Sequence, residues 1–592
     1  MRAIQRVAVP DTRRSVTGGV LIGSMEPDGT HAWRGIPYAA PPTGDLRWRA
    51  PRPVAPWANV HEALEHGPMA PQYAGLLAPV PTKLYGRIVG NEDCLHLNIF
   101  SPPWSPGDVP RGSKSRPVMV WIHGGGNAVG TSATYDVVRN YAAQDGLIVV
   151  TVNYRLGVLG WFRHPALQEA DHATPQERSG NFGTLDLIAA LTWVRDNIAA
   201  FGGDPGCVTI FGESAGGQHV LTLMASPLAA GLFHRAIAQS PTAETFSEQD
   251  ATEHSASPLE SHRTSALEVA ARLCAATGRK QSVHAAASAT DTATWLRSLS
   301  PEQLLGVFKP GSVGIYLCPR PVRDGVVLPK EPLTEVFRSG TWNRVPVILG
   351  SNRDECRTFL ADKPEHSRML FGKLPLLHDR VDYVTQSHFL SQAWRSLHVE
   401  APADALLAGG HRDVWTYRFD WDEAPALPFV RPDILLGAAH GLEMAFAFRD
   451  TAGEFDIFKV NTPFNRSGRN ELARIMGDAW TSFARGGAPA LRHGLSWTRR
   501  SLGSGADTLL LDSPAGGGAR MAAVRQDITA LKQELRESAD IASGTARCRI
   551  YARVFLWWPL YVGHGSESEY AEWCARFGCQ QPATSFRPVV EV

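Results

Sequence analysis

The chain has 592 residues, 44% hydrophobic and 20% charged, the balance of an ordinary globular protein with ample material for a core. Lysine plus arginine and aspartate plus glutamate each total 58, so no net field gathers phosphates or anionic lipid, which disfavours nucleic acid as a partner. No run approaches the ~20 apolar residues of a membrane-spanning helix, and eight scattered cysteines do not form a disulfide framework.

Met1 to Pro10 lacks the uninterrupted apolar core of a secretory leader, so cytoplasmic residence is expected. The first ~100 residues are rich in proline and glycine and read as strands and loops in a lid-like layer. Val118 to Ile122 is the first apolar, β-branched run that ends in a glycine loop, His123-Gly124-Gly125-Gly126, as expected of a buried parallel strand. Leu147 to Val152 is a second such strand. Leu185, Ile188, Leu191, Val194 and Ile198 then fall three and four apart, the apolar stripe of a helix. Val208 to Phe211 and Val345 to Leu349 complete the clearest strands, and their alternation with helical patterns predicts an α/β fold with a large, mostly parallel sheet. Thr242 to Thr294, with weak periodicity, reads as helical insertions over the site. Ser501 to Arg520 looks like a glycine-rich linker or long loop, followed by a helix at Ile528, Leu531 and Leu535. Near the end, Val554 to Val562 is apolar but short and interrupted by Pro559, a buried or interfacial segment. Cys574 and Cys579 have no second close cysteine pair nearby and read as unpaired thiols, so no metal is expected.

The chemistry concentrates at Gly212-Glu213-Ser214-Ala215-Gly216, which directly follows the strand Val208 to Phe211 and precedes a helical pattern at Val220, Leu223 and Met224. Strand, sharp turn and helix around a serine make a nucleophile elbow, where small residues are needed on either side because strand and helix nearly collide. The helix start aims the Ala215 amide at a developing anion. Gly125 and Gly126, after an earlier strand, supply the complementary amides, since a Cβ would block approach of backbone to substrate oxygen. The competing reading is a dinucleotide cradle at Gly124 to Gly130. It has the wrong glycine spacing, and the next strand ends in Asn153-Tyr154-Arg155 without an acid for a ribose hydroxyl.

With these motifs placed, the chain resembles the type-B carboxylesterase family, which includes cholinesterases and para-nitrobenzyl esterases. The resemblance covers about residues 15 to 500 and includes Gly35-Ile36-Pro37-Tyr38-Ala39, Glu92-Asp93-Cys94-Leu95-His96-Leu97-Asn98, Asn153-Tyr154-Arg155-Leu156-Gly157 and Phe201-Gly202-Gly203-Asp204-Pro205. It implies an α/β-hydrolase catalytic domain over residues 1–520 with inserted helical lid segments, and leaves 521–592 as a C-terminal helical extension without an assigned role. It implies hydrolysis of small to medium alkyl, aryl or xenobiotic esters through an acyl-enzyme, with amides or carbamates as the alternative, no cofactor, and a monomer or homodimer. By resemblance the base is His440, which follows Gly437-Ala438-Ala439, and the acid is Glu355, with Asp354 the adjacent alternative because Cys356 replaces the small residue usual after the acid. Ser214 as nucleophile, Glu355 and His440 form the expected triad; Gly125, Gly126 and Ala215 form the oxyanion hole; Asn127, Glu213 and Phe359 line the substrate pocket. Arg47 with Glu92, and Arg155 with Asp186, are implied structural ion pairs. Residues 69 to 94 lack the tryptophan on which cholinesterases hold quaternary ammonium, which disfavours a choline ester. Non-catalytic adhesion members of the family lose the serine, which this chain retains.

Overall fold

The structure is a computed structural model that describes residues 6–588 except 170–172, 256–262, 312, 371–373, 427–430, 492–493, 504, 542 and 562. The first half of the Met1 to Pro10 segment, residues 256–262 of the Thr242 to Thr294 insertion, and Val562 therefore lie outside the described residues.

The largest sheet among the described residues has eleven strands: β1 (Ser24–Met25), β2 (His31–Pro37), β3 (His96–Ser101), β4 (Arg116–Ile122), β5 (Ile148–Val152), β6 (Gly203–Glu213), β7 (Arg235–Gln239), β8 (Val347–Asn352), β9 (Val414–Phe419), β10 (Thr508–Leu511) and β11 (Arg520–Ala522). Their spatial order is β11-β10-β9-β8-β7-β6-β4-β5-β3-β2-β1. Pairing is parallel from β5 through β4, β6, β7, β8 and β9 to β10, and antiparallel at both margins.

Both faces of this sheet are covered, which is why its strands read as continuous apolar runs rather than alternating ones. On β4, Val118, Val120 and Ile122 point into one core with Leu187, Leu191 and Val194 of helix α1 (Phe182–Asn197). Met119 and Trp121 point the other way, to Met476, Trp480 and Phe483 of the long helix α4 (Arg466–Gly486). The helix that follows β6, α2 (Ala215–Ala225), is buried along its whole length.

Two sequence expectations need correction. The N-terminal hundred residues are not only a lid-like layer, because β1, β2 and β3 extend the main sheet at its antiparallel margin. The Ser501 to Arg520 segment is not only a linker: its short run Thr508–Leu511 is fully buried as β10. Glycine and serine around four apolar residues masked a strand whose stability comes from pairing with β9, a non-local effect. The expected ion pairs are present. Arg47 donates to Glu92 through Nε at 2.7 Å and through Nη2. Arg155 donates twice to Asp186, at 2.8 and 2.6 Å, with the carboxylate wholly buried.

The C-terminal residues fold as helices α5 (Ile528–Glu537), α6 (Gly544–Tyr551) and α7 (Glu567–Phe577). They share one apolar core with α3 (Arg380–Arg395) and with the residues just after β8: Leu531, Tyr551, Phe555 and Trp573 pack in the cluster that contains Cys356, Leu360, Leu390 and Trp394. The tail is thus built against the part of the fold that carries Glu355.

Candidate active site

Ser214 sits between β6 and α2 with φ 59 and ψ −122, a strained conformation for a residue with a Cβ. The crowding that explains its neighbours is explicit. A Cβ on Gly216 would lie 2.0 Å from the Ile122 carbonyl oxygen, and one on Gly212 would lie 2.6 Å from Gly216 backbone. The serine amide donates to Gln239 O on β7 at 2.9 Å, which anchors the turn to the next strand.

The glycine loop after β4 lies against this turn. Gly125 and Gly126 take φ 109 and 63, and a Cβ on Gly125 would meet Val129 O at 2.2 Å. Asn127 also has positive φ, 61; its amide side chain donates to Gln218 Oε1 at 2.8 Å, and its carbonyl accepts from the Gly157 amide at 2.6 Å. Among the described residues no protein acceptor takes the N–H groups of Gly125, Gly126 or Ala215. Amides without a protein acceptor, on a loop and at a helix start around one serine, are free to donate to a developing oxyanion.

His440 and Glu355 meet at this turn. His440 Nδ1 lies 2.6 Å from Glu355 Oε2. Glu355 is fully buried, and its other oxygen accepts from the Asn352 amide at 2.7 Å, so the carboxylate is fixed from both sides. Asp354 is engaged elsewhere, accepting from the Ala438 amide at 3.0 Å and pairing with Arg353 and Arg357. Phe359 and Trp394 pack on the imidazole, with ring centroids 5.1 and 4.9 Å away.

The other imidazole nitrogen, Nε2, lies 3.0 Å from Glu213 Oε1, and no hydrogen bond among the described residues joins it to Ser214. Glu443, held by Asn352 Nδ2 at 2.6 Å, brings a third carboxyl to the group. Burial by itself lowers the His440 pKa, but Glu213 and then Glu355 outweigh it and raise it to about 9. Burial pushes the Glu213 carboxyl up to about 8, against the pull of His440, and burial followed by the nearby Glu355 raises that of Glu443. Burial favours the neutral forms of Glu213 and Glu443, and the nearby imidazole pulls both the other way.

Two cavities flank Ser214 and share it, Ile315, Phe359 and Lys363 as lining. The smaller, with Gly125, Glu213 and His440 in its wall, also touches Tyr135 and Phe458. The larger, with Gly126, Asn127 and Ala215, is closed by Trp394 and by tail residues Trp557, Trp558, Pro559 and Leu560. The sequence left the tail with Trp557 and Trp558 open between interface packing and a lid, and did not place it at this cavity. Its signal was the apolar Val554 to Val562 run broken by Pro559, which fits a segment bent into a cavity but does not say which one.

A model of the carboxylesterase family matches residues 11–374, a span that includes the glycine loop, Ser214 and Glu355. The chain is 35% identical over 516 residues to the para-nitrobenzyl esterase of Bacillus subtilis, covering 84% of this chain and 94% of that one. The chain belongs to the carboxylesterase family. It is 34% identical to liver carboxylesterase 1 of Mus musculus over 77% of its own length and 81% of that protein. A solved carboxylesterase of Geobacillus stearothermophilus superposes with TM-score 0.62 at 30% identity, over 85% of this chain and 96% of that one. The protein is accordingly a serine ester hydrolase of the α/β-hydrolase fold. Among the described residues, no helix is long and apolar enough to cross a membrane.

Proposed function

We propose that Ser214, His440 and Glu355 act as nucleophile, general base and orienting acid in the hydrolysis of small to medium alkyl, aryl or xenobiotic carboxylic esters. The observation that carries this reading is the 2.6 Å contact between His440 Nδ1 and Glu355 Oε2 beside the strained serine turn. His440 must leave Glu213 and turn Nε2 to the serine hydroxyl, whose proton it takes as the oxygen attacks the ester carbonyl. Glu355 holds the imidazole tautomer and stabilises the imidazolium. The amides of Gly125, Gly126 and Ala215 hold the tetrahedral oxyanion, each such donor typically contributing ~10²–10³ in rate. His440 then protonates the leaving alcohol, and water repeats the attack on the acyl-enzyme with the same base.

The two cavities on either side of Ser214 support separate seats for the acyl and alcohol portions. Their walls are largely aromatic and aliphatic, with Phe359 common to both, and Arg320, Glu365 and Arg553 add charge to the larger, Asp362 to the smaller and Lys363 to both. A triad of this kind also attacks amides and carbamates, and relative turnover on matched ester and anilide substrates decides between them. The test of the nucleophile is Ser214→Ala on short and long para-nitrophenyl esters. Turnover falls by at least ~10⁴ if the serine acts as proposed; an unchanged rate refutes the assignment.

A further inference from the structure

The tail holds a second group of reactive side chains, remote from the serine in sequence. Cys548 on α6, Cys574 on α7 and Cys579 just beyond α7 bring their sulfurs within 4.8 Å of one another. The cause is local on one side and tertiary on the other. At the end of α7, Gly578 takes φ 69, and the amides of Gly578 and Cys579 both donate to Cys574 O, so the helix cap folds Cys579 back over Cys574. Helix α6 then packs along α7 and presents Cys548 to the pair. All three are free thiols; Cys548 is wholly buried and Cys579 nearly so, while Cys574 is partly exposed.

Three sulfurs in this arrangement nearly satisfy a soft cation already. Zinc–sulfur bonds of about 2.3 Å place tetrahedral ligand sulfurs about 3.8 Å apart, a contraction within the reach of side-chain rotation.

We propose that Cys548, Cys574 and Cys579 bind a thiophilic divalent cation of the zinc type, with water in the fourth position on the partly exposed side at Cys574. The ion ties α6 to α7, and the chain between those helices is the one that carries Trp557, Trp558, Pro559 and Leu560 into the larger cavity. The clip thereby fixes both ends of the tail wall, and because the ligands converge only in the folded chain, binding stabilises that fold.

The test uses the full-length protein, purified with reductant, stripped by chelator and titrated with Zn²⁺, and separately with Co²⁺ to report thiolate ligation by its charge-transfer absorption. The proposal expects one Zn²⁺ per chain and a sulfur-to-cobalt band. Cys548→Ser and Cys574→Ser each weaken binding by more than the 10–100-fold that loss of an outer-shell partner causes, whereas Cys207→Ser, outside the cluster, leaves it unchanged. Circular dichroism and fluorophosphonate labelling confirm that each variant is folded. Chelation lowers the melting temperature of the wild type but not of Cys574→Ser. Absence of bound Zn²⁺ and Co²⁺ in the folded wild type, or binding that survives both substitutions, overturns the proposal. So does a count of six free thiols instead of eight in protein purified and denatured without reductant, since that reveals a disulfide in place of a metal site.

Discussion

The serine turn and the tail wall face the same cavity but are specified by different kinds of constraint. At the turn, backbone decides: positive φ at Ser214, Gly125 and Gly126, and no room for a Cβ at Gly212 or Gly216. Almost any substitution there collides with main chain, so the residues are few and their spacing is fixed. At the wall, side chains decide: Trp557, Trp558 and Leu560 fill space against Phe359 and Trp394, and other large apolar residues would fill it in other shapes. On the proposed reading, the reaction rests on strain and hydrogen bonding at the turn, whereas substrate choice rests on side-chain packing at the wall.

The sharpest way to break this comparison is at the acid. Glu355→Gln keeps the shape but cannot hold the imidazolium, so kcat is expected to fall by ~10⁴ at neutral pH. Asp354→Asn, which weakens two ion pairs and leaves the His440 contact in place, is expected to cost far less kcat on the same ester than Glu355→Gln. Comparable losses in the two variants would mean that the acid has been misplaced.

A smaller effect separates chemistry from its electrostatic setting. The base must be neutral to accept the serine proton, so kcat/KM rises as pH climbs through the His440 pKa. Glu213 holds that pKa up, so Glu213→Gln is expected to move the acid limb of the profile to lower pH by about 1 unit. A limb that stays in place, or moves to higher pH, would show that Glu213 does not act on the base.

The smallest effect is expected at the wall, and only with some substrates. Trp558→Ala enlarges the cavity without touching the oxyanion amides. KM for long-acyl esters is expected to rise about 3- to 10-fold, while acetate esters keep their kcat. A parallel fall in kcat on every ester would assign the tail a part in the chemistry and erase the distinction.

The same contrast governs what could be read without coordinates. Ser214, the glycine loop, and the strands β4, β5, β6 and β8 were legible because each depends on local rules: a turn that excludes Cβ atoms, or an apolar run buried on both faces; β7 was not read from the sequence. His440 and Glu355 came from family resemblance, and the geometry brings them together. The strand at Thr508–Leu511 stayed hidden because only its pairing partner makes it a strand. The placement of β1 to β3 on the main sheet was missed for the same reason, since proline and glycine describe turns but not which edge a strand joins. The tail wall and the convergence of Cys548 with Cys574 and Cys579 were out of reach, because both depend on helices packing across long stretches of chain.

The central claim is that one hydroxyl, Ser214 Oγ, becomes acylated during turnover. Mass spectrometry of the full-length protein after a fluorophosphonate reagent, followed by peptide mapping, tests it directly. The account predicts a single adduct on Ser214, formed in step with complete loss of esterase activity and nearly abolished in His440→Ala. Full inactivation with the adduct on another residue, or turnover that persists once Ser214 is fully labelled, would contradict it.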